Sequence, residues 1–298
     1  MIISGIEVDD IGADDFGVSD SGRTLILDAD GPAYQAAATV KTVATGLRRW
    51  QSLVLEQIFL AECSHGLAYL THEESTKAGR FSINAFKPYQ GQRKSGGKPP
   101  LLSQVREAAY LEGAMPEFDV FMETVVEADD AMMMKSYELG EEGVIRSDDK
   151  DLRMTIWPYY EIERGVIMPS DLFGELWIAE TPSGQKKCLG RSVKFFWAQM
   201  FMGDSADNVR GLDKYKGKNI GPVDAYKTLH PINNIESLCN TVIDAYREIN
   251  QNPLPEAWLL WMLRHPQDNC WVYFNELPWS VANRAYLDEC VTREWFRK

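Results

Sequence analysis

The chain has 298 residues, 45% of them hydrophobic, enough for one large core or two unequal ones. Its formal net charge of −13 argues, on the total alone, against a partner rich in phosphate. No apolar run nears the ~18 residues of a membrane span, and five cysteines without CxxC spacing, beside four histidines, exclude a zinc motif.

In chain order, the first residues, Met1 to Asp10, lack a basic region and a long apolar stretch, so they do not read as a signal peptide. A reduced, cytoplasmic protein is expected. Residues 1–22 form an acidic segment expected to lie loosely on the surface; Glu7, Asp9, Asp10, Asp14, Asp15 and Asp20 fall within it without a single base. Much of the negative charge is therefore local. Bases gather instead at Lys87, Arg93, Lys94 and Lys98, and at Arg210, Lys214, Lys216 and Lys218.

Thr24 to Leu27 reads as a buried strand ending at Asp28. A helical stretch follows over about 33–62, then a strand at Gly66 to Leu70. Residues 86–100, rich in Lys, Gly and Pro, read as a mobile loop. Leu101 to Leu111 has helical periodicity, Val120 to Val126 reads as a strand, and Asp129 to Leu139 as a helix with acid in its first turn. Val144-Ile145 and Met154-Thr155-Ile156 are further strand candidates. The alternation predicts an α/β core over 23–190, with a mainly parallel sheet flanked by helices and ligands at the carboxyl ends of its strands. From 191 to 298 the pattern turns helical, beginning with Val193 to Met202. Trp258, Trp261, Trp271, Trp279 and Trp295 in this part read as core packing rather than as base-stacking platforms.

Four acidic clusters lie at the ends of apolar stretches: Asp28 with Asp30, Glu127 with Asp129 and Asp130, Asp149 with Asp151, and Asp204 with Asp207. Alone, each is an ordinary capping or turn sequence. Together they call for a compensating charge, because gathered carboxylates repel one another. Two Mg²⁺ or Mn²⁺ ions, which prefer oxygen ligands, would supply it and would suit phosphodiester hydrolysis. Asp28 and Asp30 are spaced to face one way on an extended segment, as are Asp149 and Asp151. Glu127 and Asp130 are neighbours on a first helical turn, and Asp204 and Asp207 share that spacing. Gly211 and Gly221 bracket a hairpin before a helix, where backbone N–H groups could approach a phosphate.

These residues resemble the flap endonuclease superfamily of 5′ nucleases over roughly residues 24–229, most of all the 5′→3′ exonucleases of short-tailed phages. The matching runs are the strand-end Asp28, Glu127-Ala128-Asp129-Asp130, Asp149-Lys150-Asp151 and Gly203-Asp204-Ser205-Ala206-Asp207-Asn208. The resemblance implies a PIN-like 5′-nuclease core and a helix-hairpin-helix over about 203–229. It implies that Asp28, Glu127 and Asp129 serve one ion, that Asp149, Asp151, Asp204 and Asp207 serve a second, and that Asp130 lies near both. Tyr89 to Lys94 resembles the signature at the base of a helical arch, so 86–100 would act as a gate and Arg93 would contact the reacting phosphate. The hairpin, with Lys214, Lys216 and Lys218, would hold double-stranded DNA with 5′ ends or flaps, and RNA–DNA hybrids fall in the same substrate range.

The chain departs from the pattern in three places. Thr71-His72 stands where a metal-associated Asp is usual, so either Glu73 or Glu74 would substitute or one more water would complete the ion's shell. Gln90 replaces a lysine, whose charge Lys87 or Lys94 would supply. Asp213 to Asn219 lengthen the hairpin that would carry a K⁺ site. The implied function is a monomeric, phage-encoded 5′→3′ exonuclease or flap endonuclease in replication or primer removal. Two rivals are a structure-specific DNA-binding protein with weakened catalysis and a haloacid dehalogenase-type phosphatase, which Leu25 to Gly31 also resembles, with Asp28 as its nucleophile. The phosphatase reading leaves the clusters at 127–130 and 149–151 unexplained.

Overall fold

The computed structural model describes residues 21–92, 97–162, 164–168 and 171–293, together with the backbone of a small antiparallel hairpin, β1 (Ile2–Ile3) and β2 (Ile6–Glu7). The rest of the acidic N-terminal segment, and Arg93, Lys94 and Trp295, lie outside the described residues.

A six-stranded sheet organises the chain in the order β5-β4-β3-β6-β7-β8. Its strands are β3 (Thr24–Asp28), β4 (His65–Thr71), β5 (Phe118–Glu123), β6 (Gly143–Arg146), β7 (Tyr159–Glu161) and β8 (Gly165–Ile167). All adjacent pairs are parallel except β7 with β8. From β3 the chain passes through α1 (Asp30–Ala38) and α2 (Val43–Leu60) to β4, and through α3 (Leu102–Glu112) to β5. It then returns over α4 (Ala128–Leu139) to β6, on the other side of β3. Strand order thus reverses at β3, and the crevice at such a reversal, outside the carboxyl ends of the strands, is where open α/β sheets bind ligands. Asp28 closes β3 at that point.

β3 is central, so both its faces are covered and its sequence is apolar without alternation. Leu25 and Leu27 pack with Trp50 and Val54 of α2 and Val105 of α3. Ile26 points the opposite way, into a second core with Met132 and Met133 of α4 and with the C-terminal helices. Those helices are α5 (Ser192–Met202), α6 (Pro222–Leu229), α7 (Ile235–Glu248), α8 (Leu254–Leu260), α9 (Cys270–Asn275) and α10 (Val281–Thr292). Trp261 stacks on Tyr273 at 4.3 Å, and Trp197 on Phe274 at 5.4 Å. Trp258, Trp271 and Trp279 pack against the same core, as expected of packing residues. No described helix is long and apolar enough to cross a membrane, and all five cysteines are buried and free.

Three expected elements differ. The helix over 33–62 is two helices, because Thr42 breaks the run and caps α2 by accepting from Thr45 N. The strand at 120–126 begins earlier and ends at Glu123. Met154-Thr155-Ile156 is no strand: Asp149 accepts from Asp151 N and starts a 3₁₀ turn over Lys150–Met154, and the strand comes later, as β7. A short apolar run does not by itself separate these outcomes. One hairpin was not anticipated at all: β9 (Leu176–Glu180) pairs with β10 (Lys186–Gly190) outside the main sheet.

Candidate metal centre

At the carboxyl end of β3, Asp28 Oδ1 accepts from Asp30 N at 3.0 Å and Asp28 Oδ2 from Ser147 Oγ at 2.9 Å. Ser147 Oγ in turn accepts from Asp149 N at 3.0 Å, so one hydroxyl fastens β3 to the loop after β6. Burial, then the charges of Asp30 and Asp149, push the Asp28 carboxyl up to about 6. Asp129 is raised strongly, by burial first and then by Asp28 and Asp149. These three carboxyls, from three chain segments, therefore lie within each other's field.

Asp151, Asp204 and Asp207 form a second group, with one oxygen from each lying within 4.8 Å of the others. Among the described residues this is the group close enough to hold one ion. Lys150 Nζ lies 2.9 Å from Asp151 Oδ1 and 2.6 Å from Asp204 Oδ2, and Gln199 Nε2 donates to Asp151 Oδ1 at 2.6 Å. Burial lifts Asp151 to about 7, Lys150 opposes the rise, and Asp149 and Asp204 add to it. Glycine is required where this loop closes. Gly203 and Gly211 have φ of 79° and 68°, and a Cβ on Gly211 would lie 2.3 Å from Gly203 N.

Glu127 and Asp130 are placed differently from the expectation. Glu127 sits in a cradle of donors: Lys77 Nζ at 2.7 Å, Arg80 Nη1 at 3.2 Å and the Tyr89 hydroxyl at 2.7 Å. Burial would raise its pKa, but Arg80 and Lys77 outweigh burial and hold it low. Asp130 is fully buried and pairs with both terminal nitrogens of Arg80, and Leu263 N donates to it as well. It thus ties α4 to the C-terminal helices. Asp30 pairs with Arg106 at 2.9 Å. Glu73 accepts from Ser103 Oγ and Glu74 is exposed, so neither joins the acidic groups.

The segment before Arg93 is anchored to the Asp204–Asp207 loop. Tyr89 is buried, Gln90 N donates to Asp207 O at 2.8 Å, and Gln92 Nε2 donates to the carbonyls of Ser205 and Ala206. Lys87 is exposed; the cation that meets Gln90 is Lys77, with Nζ 2.7 Å from Gln90 Oε1. The glycine N–H groups expected to face phosphate are already engaged: Gly211 N donates to Glu256 Oε2 and Gly221 N to Asp224 Oδ2. Lys214, Lys216 and Lys218 are exposed on the turn between α5 and α6. Sequence reasoning missed Lys77, Arg80, Ser147, Gln199 and Glu256. None belongs to a run of like residues; Lys150 was visible only as the middle of Asp-Lys-Asp.

The donor set fits hard divalent ions. It is all carboxylate oxygen, with no thiol or imidazole approaching among the described residues. Two of its members, Asp28 and Asp151, are carboxyls whose ionisation a nearby cation would favour.

No family model matches the sequence, and no curated protein sequence is similar to it. Solved structures do resemble it. The bacteriophage T5 D15 protein, co-crystallised with metal ions, superposes with a TM-score of 0.53 at 16% identity, covering 90% of this chain and 96% of that one. A mutant of T5 5′-exonuclease gives 0.45 at 15% identity, covering 90% and 98%. A variant of the T5 D15 flap endonuclease, in a pseudo-enzyme–product complex with DNA and metal ions, gives 0.43 at 13% identity, covering 91% and 100%. The mostly parallel sheet with its flanking and C-terminal helices is the fold of the D15 protein.

Proposed function

We propose that this protein is a metal-dependent 5′→3′ nuclease, an exonuclease or flap endonuclease that leaves a 5′-phosphate and a 3′-hydroxyl. The observation that carries the proposal is the convergence of carboxylates from four chain segments at the reversal of strand order. Asp28 and Asp129 adjoin Asp149, and Asp151 adjoins Asp204 and Asp207. Asp151, Asp204 and Asp207 would hold one divalent cation, and Asp28, Asp129 and Asp149 would draw together around a second. When bound, two such ions activate a water and neutralise charge on the phosphate and the leaving oxygen.

The chain's own residues do the rest. Ser147 fixes Asp28 against the loop of Asp149. Lys150 and Gln199 orient Asp151 and Asp204. Arg93 and Lys94, which follow the anchored Gln92, are assigned to the phosphate charge, and the 86–100 segment to gating of the 5′ strand. The α5–α6 turn, with its exposed lysines, would contact duplex DNA as a helix-hairpin-helix. Removal of primers or DNA turnover in a phage-infected host cytoplasm is the setting in which such an activity would serve.

The test is a 5′-labelled flap duplex incubated with Mn²⁺. Asp149→Asn and Asp204→Asn should each abolish cleavage while duplex binding survives. Near-wild-type cutting by both variants would refute the assignment. Binding without any cleavage by the unmodified protein would favour a DNA-binding role instead.

A further inference from the structure

Lys77 occupies an unusual place. Its ammonium lies 2.7 Å from Glu127 Oε1 and 2.7 Å from Gln90 Oε1. Gln90 Nε2 reaches on to Asp207 Oδ1 at 3.0 Å. Lys77 also acts electrostatically on Asp30. The lysine therefore stands between the acids near β3 and α4 and those of the 204–207 loop.

The backbone delivers it there under strain. Lys77, Ala78 and Gly79 have φ of 50°, 53° and 75°, three left-handed residues in a row, and Gln90 has φ of 51°. Left-handed backbone at a residue with a Cβ is unfavourable and persists where the surroundings over-determine it. They do so here. Ser75 Oγ donates to Val126 O, Thr76 Oγ1 to Val125 O, and Ala78 N to Val125 O, which bolts the turn to the residues just before Glu127. Arg80, on the same turn, is 3% exposed and already committed to Asp130. The Lys77 side chain keeps 16% exposure, and an ammonium has three N–H donors, of which Gln90 and Glu127 take two.

Resting on the nuclease reading, we propose that Lys77 is a phosphate-contacting catalytic residue of this chain, with Gln90 as its positioning partner. Its remaining N–H donates to a non-bridging oxygen of the scissile phosphodiester, where negative charge grows as the bond breaks. Gln90, neutral and hydrogen-bonded at both ends, holds the ammonium in register without cancelling its charge.

Lys77→Gln tests this on the full chain, with Mn²⁺ and a labelled flap duplex. We expect kcat to fall about 100-fold, the size of effect seen when one transition-state donor is removed. KM, and duplex affinity measured in Ca²⁺, should stay within about threefold, since only the transition state loses a contact. The exchange Lys77→Ala with Gln90→Lys should recover at least about tenfold over Lys77→Ala alone, because the two side chains already meet. Melting temperatures establish that each variant folds. If Lys77→Gln does not, Lys77→Arg replaces it, with a kcat loss expected at unchanged KM from a misplaced cation. Activity within threefold of wild type, a loss wholly in KM, or an exchange that recovers nothing would overturn the role. An unmodified protein that cuts no DNA would instead bring down the nuclease reading itself.

Discussion

Lys150 Nζ lies 2.6 Å from Asp204 Oδ2, although 54 residues of chain separate them. With Asp151 Oδ1 at 2.9 Å, the ammonium is the positive partner of the acidic group proposed to hold an ion. Lysine and metal thus compete for the same oxygens. In EDTA, Lys150→Met should lower unfolding stability by about 2–3 kcal/mol, below the range for a fully buried pair because the lysine is 29% exposed. Mn²⁺ should bind this variant more tightly than wild type, and calorimetric titration measures it. Unchanged affinity together with unchanged stability would remove Lys150 from the site.

The raised carboxyls carry a pH signature of definite sign. Asp28 at about 6 and Asp151 at about 7 hold protons more tightly folded than unfolded, where 3.8 applies. Their contribution to stability is full below 3.8 and is lost as pH rises to 6–7. Metal binding requires them ionised, so it should release protons near pH 6.5. Calorimetry in two buffers of different ionisation enthalpy reads the number released; buffer-independent heats would contradict these shifts.

Arg80 is the sole partner that the described residues offer to both oxygens of the fully buried Asp130 at once. Arg80→Met should cost about 3–5 kcal/mol, since it strands a buried charge. Arg80→Lys should recover little of it, because a point charge cannot make the forked contact. Urea unfolding decides between this and a replaceable surface pair, which would lose under about 1 kcal/mol.

Glu256, 1% exposed on α8, accepts from Phe86 N at 3.0 Å and from Gly211 N at 3.2 Å. It joins the start of the 86–100 segment to the hairpin between α5 and α6. Glu256→Gln leaves one acceptor where two donors point, at a cost of about 1–3 kcal/mol. Hydrogen exchange at the Phe86 and Gly211 amides should accelerate together. If only one accelerates, the two loops are not held by a common carboxylate.

Much of this was legible in the sequence. The strand at Thr24–Asp28 is buried on both faces, so its composition announces it. The helix from Ala128 follows an acidic first turn. That the aspartates gather was suggested by four acidic clusters in one chain rather than by any one motif, and charge repulsion then called for a cation. The cations were not legible: Lys77 and Arg80 lie in a turn with three left-handed residues, and only the folded chain brings them to Glu127 and Asp130. Nor was Gly211, whose spacing suggested an open N–H but whose N–H meets a glutamate 45 residues away. The break at Thr39–Thr42 and the hairpin of β9 and β10 escaped because short apolar runs carry too little period to separate helix, strand and turn.

The back-to-back contact of Gly203 and Gly211 has a consequence for how this molecule tolerates change. That pinch sets the exposed turn at 216–219 apart from the aspartates on its other side, while Leu212 and Tyr215 stay packed on the core. Turns of other lengths and charges, grafted between Tyr215 and Ile220, would alter reach along a duplex while the acidic loop kept its shape; a single methyl group placed at the pinch would spoil both.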